Sequence, residues 1–190
     1  TGRIERIRQH YAVAVEWIAF PLHPETPKEG RSLEDLFKGR GFDLAGARRH
    51  LQQEANRLNL PYADREMTYN SRKAQELGKW AESTGKGDAF HRAAFQAYFA
   101  QGRNIALKEE LLNICEGIGF PRDEAVKALG NRDYAHLVDR DWQRSREAGI
   151  TAVPSFGASG RRLVGAHPYA ALEKLVVAAG AQKISRPDPA

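Results

Sequence analysis

From residue 31 to about residue 148 the apolar residues recur at helical spacing, while on either side the spacing drops to the period of two that marks strands. A chain patterned in this way folds as an α/β layer interrupted by a helical excursion, because strands and helices must bury their apolar faces on one another. Ahead of the excursion, Tyr11-Ala-Val-Ala-Val-Glu-Trp-Ile-Ala-Phe20 sets Val13, Val15 and Trp17 at period two and reads as a mostly buried strand that Pro21 ends. Behind it, Thr151–Ala158 and Arg161–Ala166 are short β-compatible runs joined by Ser159-Gly160, a dipeptide suited to a tight hairpin. A closing helix follows, with Pro168 in its first turn, a buried stripe of Tyr169, Leu172, Val176 and Ala179, and Gly180 at its end. Ala181–Ala190 reads as a loose tail.

The remaining elements are set by caps and breakers. Ile4–His10 reads as the end of a helix already under way, which implies an earlier strand, and the opening Thr1-Gly2 without Met suggests a missing N-terminus. Pro21, Pro24 and Pro27 make Pro21–Gly30 a rigid extended loop. Ser32 caps a short helix through Phe37, and Asp43 caps a longer one in which Leu44, Ala47, Leu51, Ala55 and Leu58 share a face. Further helices fit Ser71–Ser83, Ala89–Ala100 with Asp88 as cap, Leu107–Glu116, a segment opened by Pro121, and Arg132–Ala148 closed by Gly149.

Composition narrows the function. The 29 lysines and arginines exceed the 24 acidic residues by five, so an acidic partner is conceivable, but Arg3/Arg6/Arg8, Arg48-Arg49 and Arg161-Arg162 are separate groups that read as solvated faces, which argues against nucleic acid. No stretch approaches the roughly 18 apolar residues that span a bilayer, and no secretory leader is visible. The single Cys115 can form neither an internal disulfide nor a CxxC, and its apolar neighbours Leu111, Leu112 and Ile114 make it a buried, inert thiol. His10, His23, His50, His91, His136 and His167 lack the i,i+4 pairing of a helical metal site. Of these, His167 sits where it could cap the N–H groups of the last helix or face a ligand, and capping is the expected role. Trp17, Trp80, Trp142 and the Phe90/Phe95/Tyr98/Phe99 group read as core, although aromatics on more than one face of the Phe90–Phe99 helix leave some free to line a cleft.

The most specific local feature is Gly149-Ile-Thr-Ala-Val-Pro-Ser-Phe156 followed by the hairpin, Gly165-Ala-His-Pro-Tyr169 and the final helix. By its residues alone Pro154 is either a trans proline opening a strand or a cis one that turns the chain and leaves the N–H and C=O of Val153 free to pair with an extended peptide. This segment resembles the C-terminal half of the DsbA-like thioredoxin-fold family, in which a Val-Pro or Thr-Pro bond is cis and opens a strand. Phe20-Pro-Leu-His-Pro-Glu-Thr-Pro-Lys-Glu-Gly30 resembles the loop after the second strand in the FrnE-like branch of that family. The resemblance implies an α/β, thioredoxin-like fold interrupted by a large all-helical insertion, with residues 1–30 and 131–183 as core, 31–130 as insertion and 184–190 as tail. It makes Val153 and Pro154 the substrate-binding residues.

In the family a CxxC opens the first helix, where helix-end N–H groups stabilise the attacking thiolate. Gly2-Arg-Ile-Glu-Arg-Ile7 resembles the helix just after that motif, so the first strand and the CxxC would precede Thr1, and no catalytic residue falls within the chain. The implied activity is thiol-disulfide exchange on a protein or small-molecule disulfide, without a bound cofactor or metal and with a homodimer left open; the cysteine-poor chain without a visible leader favours the cytoplasm. The related alternatives are a glutathione-dependent isomerase similar to 2-hydroxychromene-2-carboxylate isomerase, or a kappa-class-like glutathione transferase. There glutathione is co-substrate and a serine replaces the cysteine. A non-catalytic peptide-binding module is the third reading.

Overall fold

The computed structural model describes residues 2–184, and the chain divides into two units, Thr1–Leu22 with Asp141–Ala190 and His23–Arg140. Its elements run α1 (Gly2–His10), β1 (Arg31–Ser32), α2 (Leu33–Phe37), α3 (Leu44–Arg57), β2 (Met67–Thr68), α4 (Arg72–Ser83), α5 (Gly87–Phe95), α6 (Lys108–Gly117), α7 (Arg122–Gly130), α8 (Arg132–Glu147), β3 (Ser155–Ala158), β4 (Arg161–Val164) and α9 (Tyr169–Ala178). The boundary between the units falls within α8.

The unit of residues 23–140 is helical apart from one two-residue antiparallel pair, Arg31 opposite Thr68 and Ser32 opposite Met67. Its caps follow the side chains. Ser32 Oγ accepts the Asp35 N–H at 3.0 Å to start α2, and Asp43 Oδ1 accepts the Gly46 N–H at 2.8 Å to start α3. The core gathers Ala74, Leu77, Trp80 and Ala81 of α4, Phe90 and Ala94 of α5, Leu111, Leu112, Ile114 and Cys115 of α6, and Ala125 and Ala128 of α7. Trp80 lies on Phe120 with ring centroids 4.1 Å apart. Gly78 sits inside α4, where glycine costs about 1 kcal/mol against alanine. The close approach of α5 explains it, since a Cβ there would lie 3.1 Å from the His91 ring.

Several sequence expectations are corrected here. Of the apolar face of α3 only Ala55 is buried, while Leu51 and Leu58 are exposed. Asp88 lies in the first turn of α5 behind Lys86 and is not its cap. The helix expected to reach Ala100 widens into a π-turn over Gln96–Ala100. There the Phe99 carbonyl accepts from the Ala63 N–H at 2.8 Å, and Tyr98 is held by a 3.1 Å hydroxyl contact with Thr68 and by Arg65 over its ring, so contacts from residues 63–68 compete with the regular ladder. Phe90 is buried, but Phe95 and Phe99 are exposed. The proline-rich loop is not extended: Thr26 N–H to His23 C=O and Gly30 N–H to Pro27 C=O close two successive turns.

In the other unit α1 packs on α9, which also covers β3 and β4, and Ile7, Tyr11, Leu172 and Leu175 are buried. β3 and β4 pair antiparallel from Ser155 opposite Val164 to Ala158 opposite Arg161. Ser159 at φ 44° and Gly160 at φ 75° form the two-residue turn, which needs positive φ at both positions. Tyr11–Phe20 is not a strand. Val13, Val15 and Trp17 are half-buried and Ala12, Ala14 and Glu16 exposed, so the alternation is present without a ladder. Its backbone is bonded elsewhere: Ala12 N–H to Gln182 C=O at 2.8 Å, and Ala19 N–H to Asp141 Oδ2 at 2.8 Å. Residues 181–184 are therefore tied down, through the Tyr11–Lys183 bridge and the Ile184 N–H to His10 C=O bond, where a loose tail was expected. The rest of that expected tail, 185–190, lies outside the described residues.

One buried and one half-buried carboxylate give stability tests. Glu76, 3% exposed, accepts from Arg72 Nε at 2.9 Å and Lys73 Nζ at 2.7 Å, and Arg72 also donates to Asp139 and to the Ala135 carbonyl. Glu76→Ala is expected to cost about 2 kcal/mol in denaturant unfolding, less than a fully buried pair because Arg72 keeps other acceptors; an unchanged midpoint would contradict this. Glu82 is partly desolvated, which alone would raise its pKa, but hydrogen bonds from His91 Nε2 at 2.9 Å and Lys79 Nζ at 3.0 Å outweigh this and hold it below the ordinary carboxylate range. Its ionised form therefore stabilises the fold at neutral pH, and that contribution disappears as pH falls through the lowered folded pKa. Unfolding measured at stepwise lower pH should show the wild type losing more stability than Glu82→Gln, and parallel curves would rule this out.

Candidate functional site

The segment around Pro154 starts from the end of α8. The Ile150 N–H reaches the Ser145 carbonyl at 2.9 Å and Gly149 turns at φ 63°, a bonding pattern that ends a helix and throws the chain off its axis. Arg162 on β4 then fixes the departure, because its Nη1 donates to the carbonyls of Ala148 at 2.7 Å and Gly149 at 3.2 Å. The loop of residues 150–154 thus hangs between a helix terminus and the hairpin that follows.

The Val153–Pro154 bond is cis. Val153 is 43% exposed, and among the described residues no backbone hydrogen bond uses its N–H or C=O. The Pro154 carbonyl accepts from the Gly165 N–H at 2.8 Å, and Ser155 Oγ donates to the Ala152 carbonyl at 2.7 Å, so the residues on either side of Val153 are held while Val153 itself is open. Val164, opposite Ser155, is exposed as well, which sets two apolar side chains at the head of the hairpin. Among the described residues β3 pairs only with β4.

His167 is not the cap expected of it. Its Nε2–H donates to the Val164 carbonyl at 2.9 Å, and its own carbonyl accepts from Arg3 Nη1 at 3.0 Å, so it braces the end of β4 against α1. Cys115 is buried in α6, and burial pushes its thiol up to about 12, leaving essentially no thiolate at neutral pH. Among the described residues no group of three or more His, Cys, Asp or Glu could hold a metal ion, and no helix is long and apolar enough to cross a membrane.

The segment 23–30, in the other unit, is shaped by residues that motif reading did not reach. Asn70 Nδ2 donates to the Pro24 and Thr26 carbonyls at 3.0 and 2.9 Å, while its Oδ1 accepts the Arg72 N–H at 2.9 Å and so caps α4 in place of Ser71. Asn104 holds the Lys28 carbonyl at 2.9 Å. The signal available for Asn70 was its place just before a helix start. Arg162 carried no comparable sign, since its partners are backbone carbonyls thirteen and fourteen residues away.

The sequence matches the DSBA-like thioredoxin domain over residues 1–177. An uncharacterized Bacillus subtilis protein, YwbO, is 28% identical over 150 residues, which is 76% of this chain and 71% of YwbO. Two solved structures share the fold. One, described as a probable DsbA oxidoreductase from Streptomyces coelicolor, superimposes with a TM-score of 0.80 at 23% identity, over 94% of this chain and 81% of that one. A 2-hydroxychromene-2-carboxylate isomerase superimposes with a TM-score of 0.72 at 21% identity, over 94% and 85%. With a domain match that spans both the Pro154 segment and the helical unit, the chain belongs to the DsbA-like thioredoxin family.

Proposed function

We propose that this protein is a thiol-disulfide oxidoreductase in which residues 150–155 hold an extended stretch of a disulfide-bearing protein. The observation that carries the reading is the open backbone of Val153, between fixed neighbours and beside the exposed Val164, in a chain of this family. Main-chain pairing there would lay a substrate along the hairpin without demanding a particular sequence, and the two valines would favour apolar side chains next to the disulfide. Exchange itself needs a thiolate that attacks one sulfur of the substrate disulfide and expels the other, then a second thiol that resolves the mixed disulfide. Cys115 is alone and inert, so both thiols must come from outside these 190 residues, and we expect them ahead of Thr1. A cytoplasmic setting suits a chain with one cysteine in this length, where a CxxC would be reactive and not structural.

A second reading keeps the same surface and replaces the protein dithiol by glutathione, which would serve an isomerase or a transferase. It is favoured by the fold shared with the isomerase.

A peptide with an internal disulfide, titrated against isotopically labelled protein, tests the docking step. The amides of residues 150–156 and 161–165 are expected to shift together and saturably. Arg162→Ala should weaken binding about fivefold while costing no more than about 1 kcal/mol of stability, since its bonds to two carbonyls are solvent-exposed. Shifts confined to other residues would overturn the assignment, and a response to reduced glutathione alone would favour the second reading.

A further inference from the structure

Between α1 and α9 the structure has a surface cavity of about 540 Å³, within the range of roughly 300–1,000 Å³ typical of small-molecule sites. Arg6, Gln9 and His10 form one wall, Tyr169 and Glu173 another, and Lys183 with Ile184 the rim. None of these residues belongs to the Pro154 segment.

The polar groups form a chain whose direction can be read. Tyr11 and Tyr169 both donate their hydroxyl protons to Glu173 Oε1, at 2.9 and 3.2 Å. The hydrogen bond to Glu173 raises the pKa of Tyr11, and desolvation together with the Glu173 charge raises that of Tyr169, so both phenols keep their protons. A phenol has one proton to give. With its proton spent on Glu173, Tyr169 can only accept at its 2.8 Å contact with His10 Nδ1, so Nδ1 carries a hydrogen and donates it.

The charges lining the cavity are unbalanced. Glu173 is the one carboxylate among the lining residues. Arg6 stacks on the Tyr169 ring, 4.1 Å from its centroid, a face contact that leaves the guanidinium N–H edges available. Among the described residues neither Arg6 nor Lys183 has a carboxylate within ion-pair distance. Two cations without a carboxylate partner among the described residues thus border a cavity that also offers the Ile184 side chain. We propose that this cavity binds a small organic anion, a carboxylate or phosphate monoester with an apolar body. The anionic group sits between Arg6 and Lys183 and the apolar body rests on Ile184.

Phenyl phosphate, with inorganic phosphate for comparison, is the probe. The amides of residues 6–10 and 183–184 in isotopically labelled protein should shift together and saturably with the probe, and calorimetry should return the same affinity. Arg6→Gln and Lys183→Gln should each weaken binding about fivefold, as loss of an exposed charge-assisted contact does, without lowering the melting temperature. No saturable shift of these amides at concentrations that fill a millimolar site, or equal binding by the Arg6→Gln/Lys183→Gln double variant, would overturn the site. Equal affinity for inorganic phosphate would overturn its selectivity for an organic anion.

Discussion

The grip of Arg162 on the carbonyls of Ala148 and Gly149 is the contact on which the functional reading rests. A helix terminus leaves its last carbonyls without partners, and a loop that departs from it is free to sample many paths. Here one side chain from β4 satisfies two of those carbonyls and joins them to the hairpin whose register is set by the Ser159-Gly160 turn. The loop of residues 150–154 is therefore anchored at both ends, and Val153 is left with its backbone groups unspent in a defined place. A docking ledge needs that combination of fixed position and open valence.

The helical unit obeys a different economy. Its core is a run of small and large apolar residues at helical spacing, and its polar interior is satisfied by side chains that reach across elements: Arg72 between Glu76 and Asp139, and Glu82 between Lys79 and His91. Asn70 and Asn104 hold the turns of residues 23–30 by their carbonyls, so Pro24 and Pro27 sit in two compact turns in place of an extended segment.

Features decided by neighbours in sequence were legible. The caps at Ser32 and Asp43, the helices from α4 to α8, the Ser159-Gly160 turn and the inert Cys115 all follow from local chemistry. Tyr11–Phe20 shows the limit of that reading: period two records which side chains face inward, but a strand exists only when a partner takes its backbone bonds, and these go to Gln182 and Asp141. The π-turn at Gln96–Ala100, the bracing role of His167, the clamp of Arg162 and the His10–Tyr169–Glu173 chain are long-range contacts of common polar residues, and no spacing rule marks them. The Pro154 segment was legible through its resemblance to a family, while its exposure and anchoring came from the structure.

Family and fold leave the chemistry to the sulfur that acts at this surface. The most direct test is to count thiols in the natural full-length protein, unfolded in denaturant before and after reduction, and to follow its reduction of a protein disulfide. A pair of thiols beyond Cys115 that cycles with reductant, together with disulfide reduction that is lost when the pair is alkylated, is the expected result. A full-length protein with Cys115 as its sole thiol would contradict the oxidoreductase reading outright.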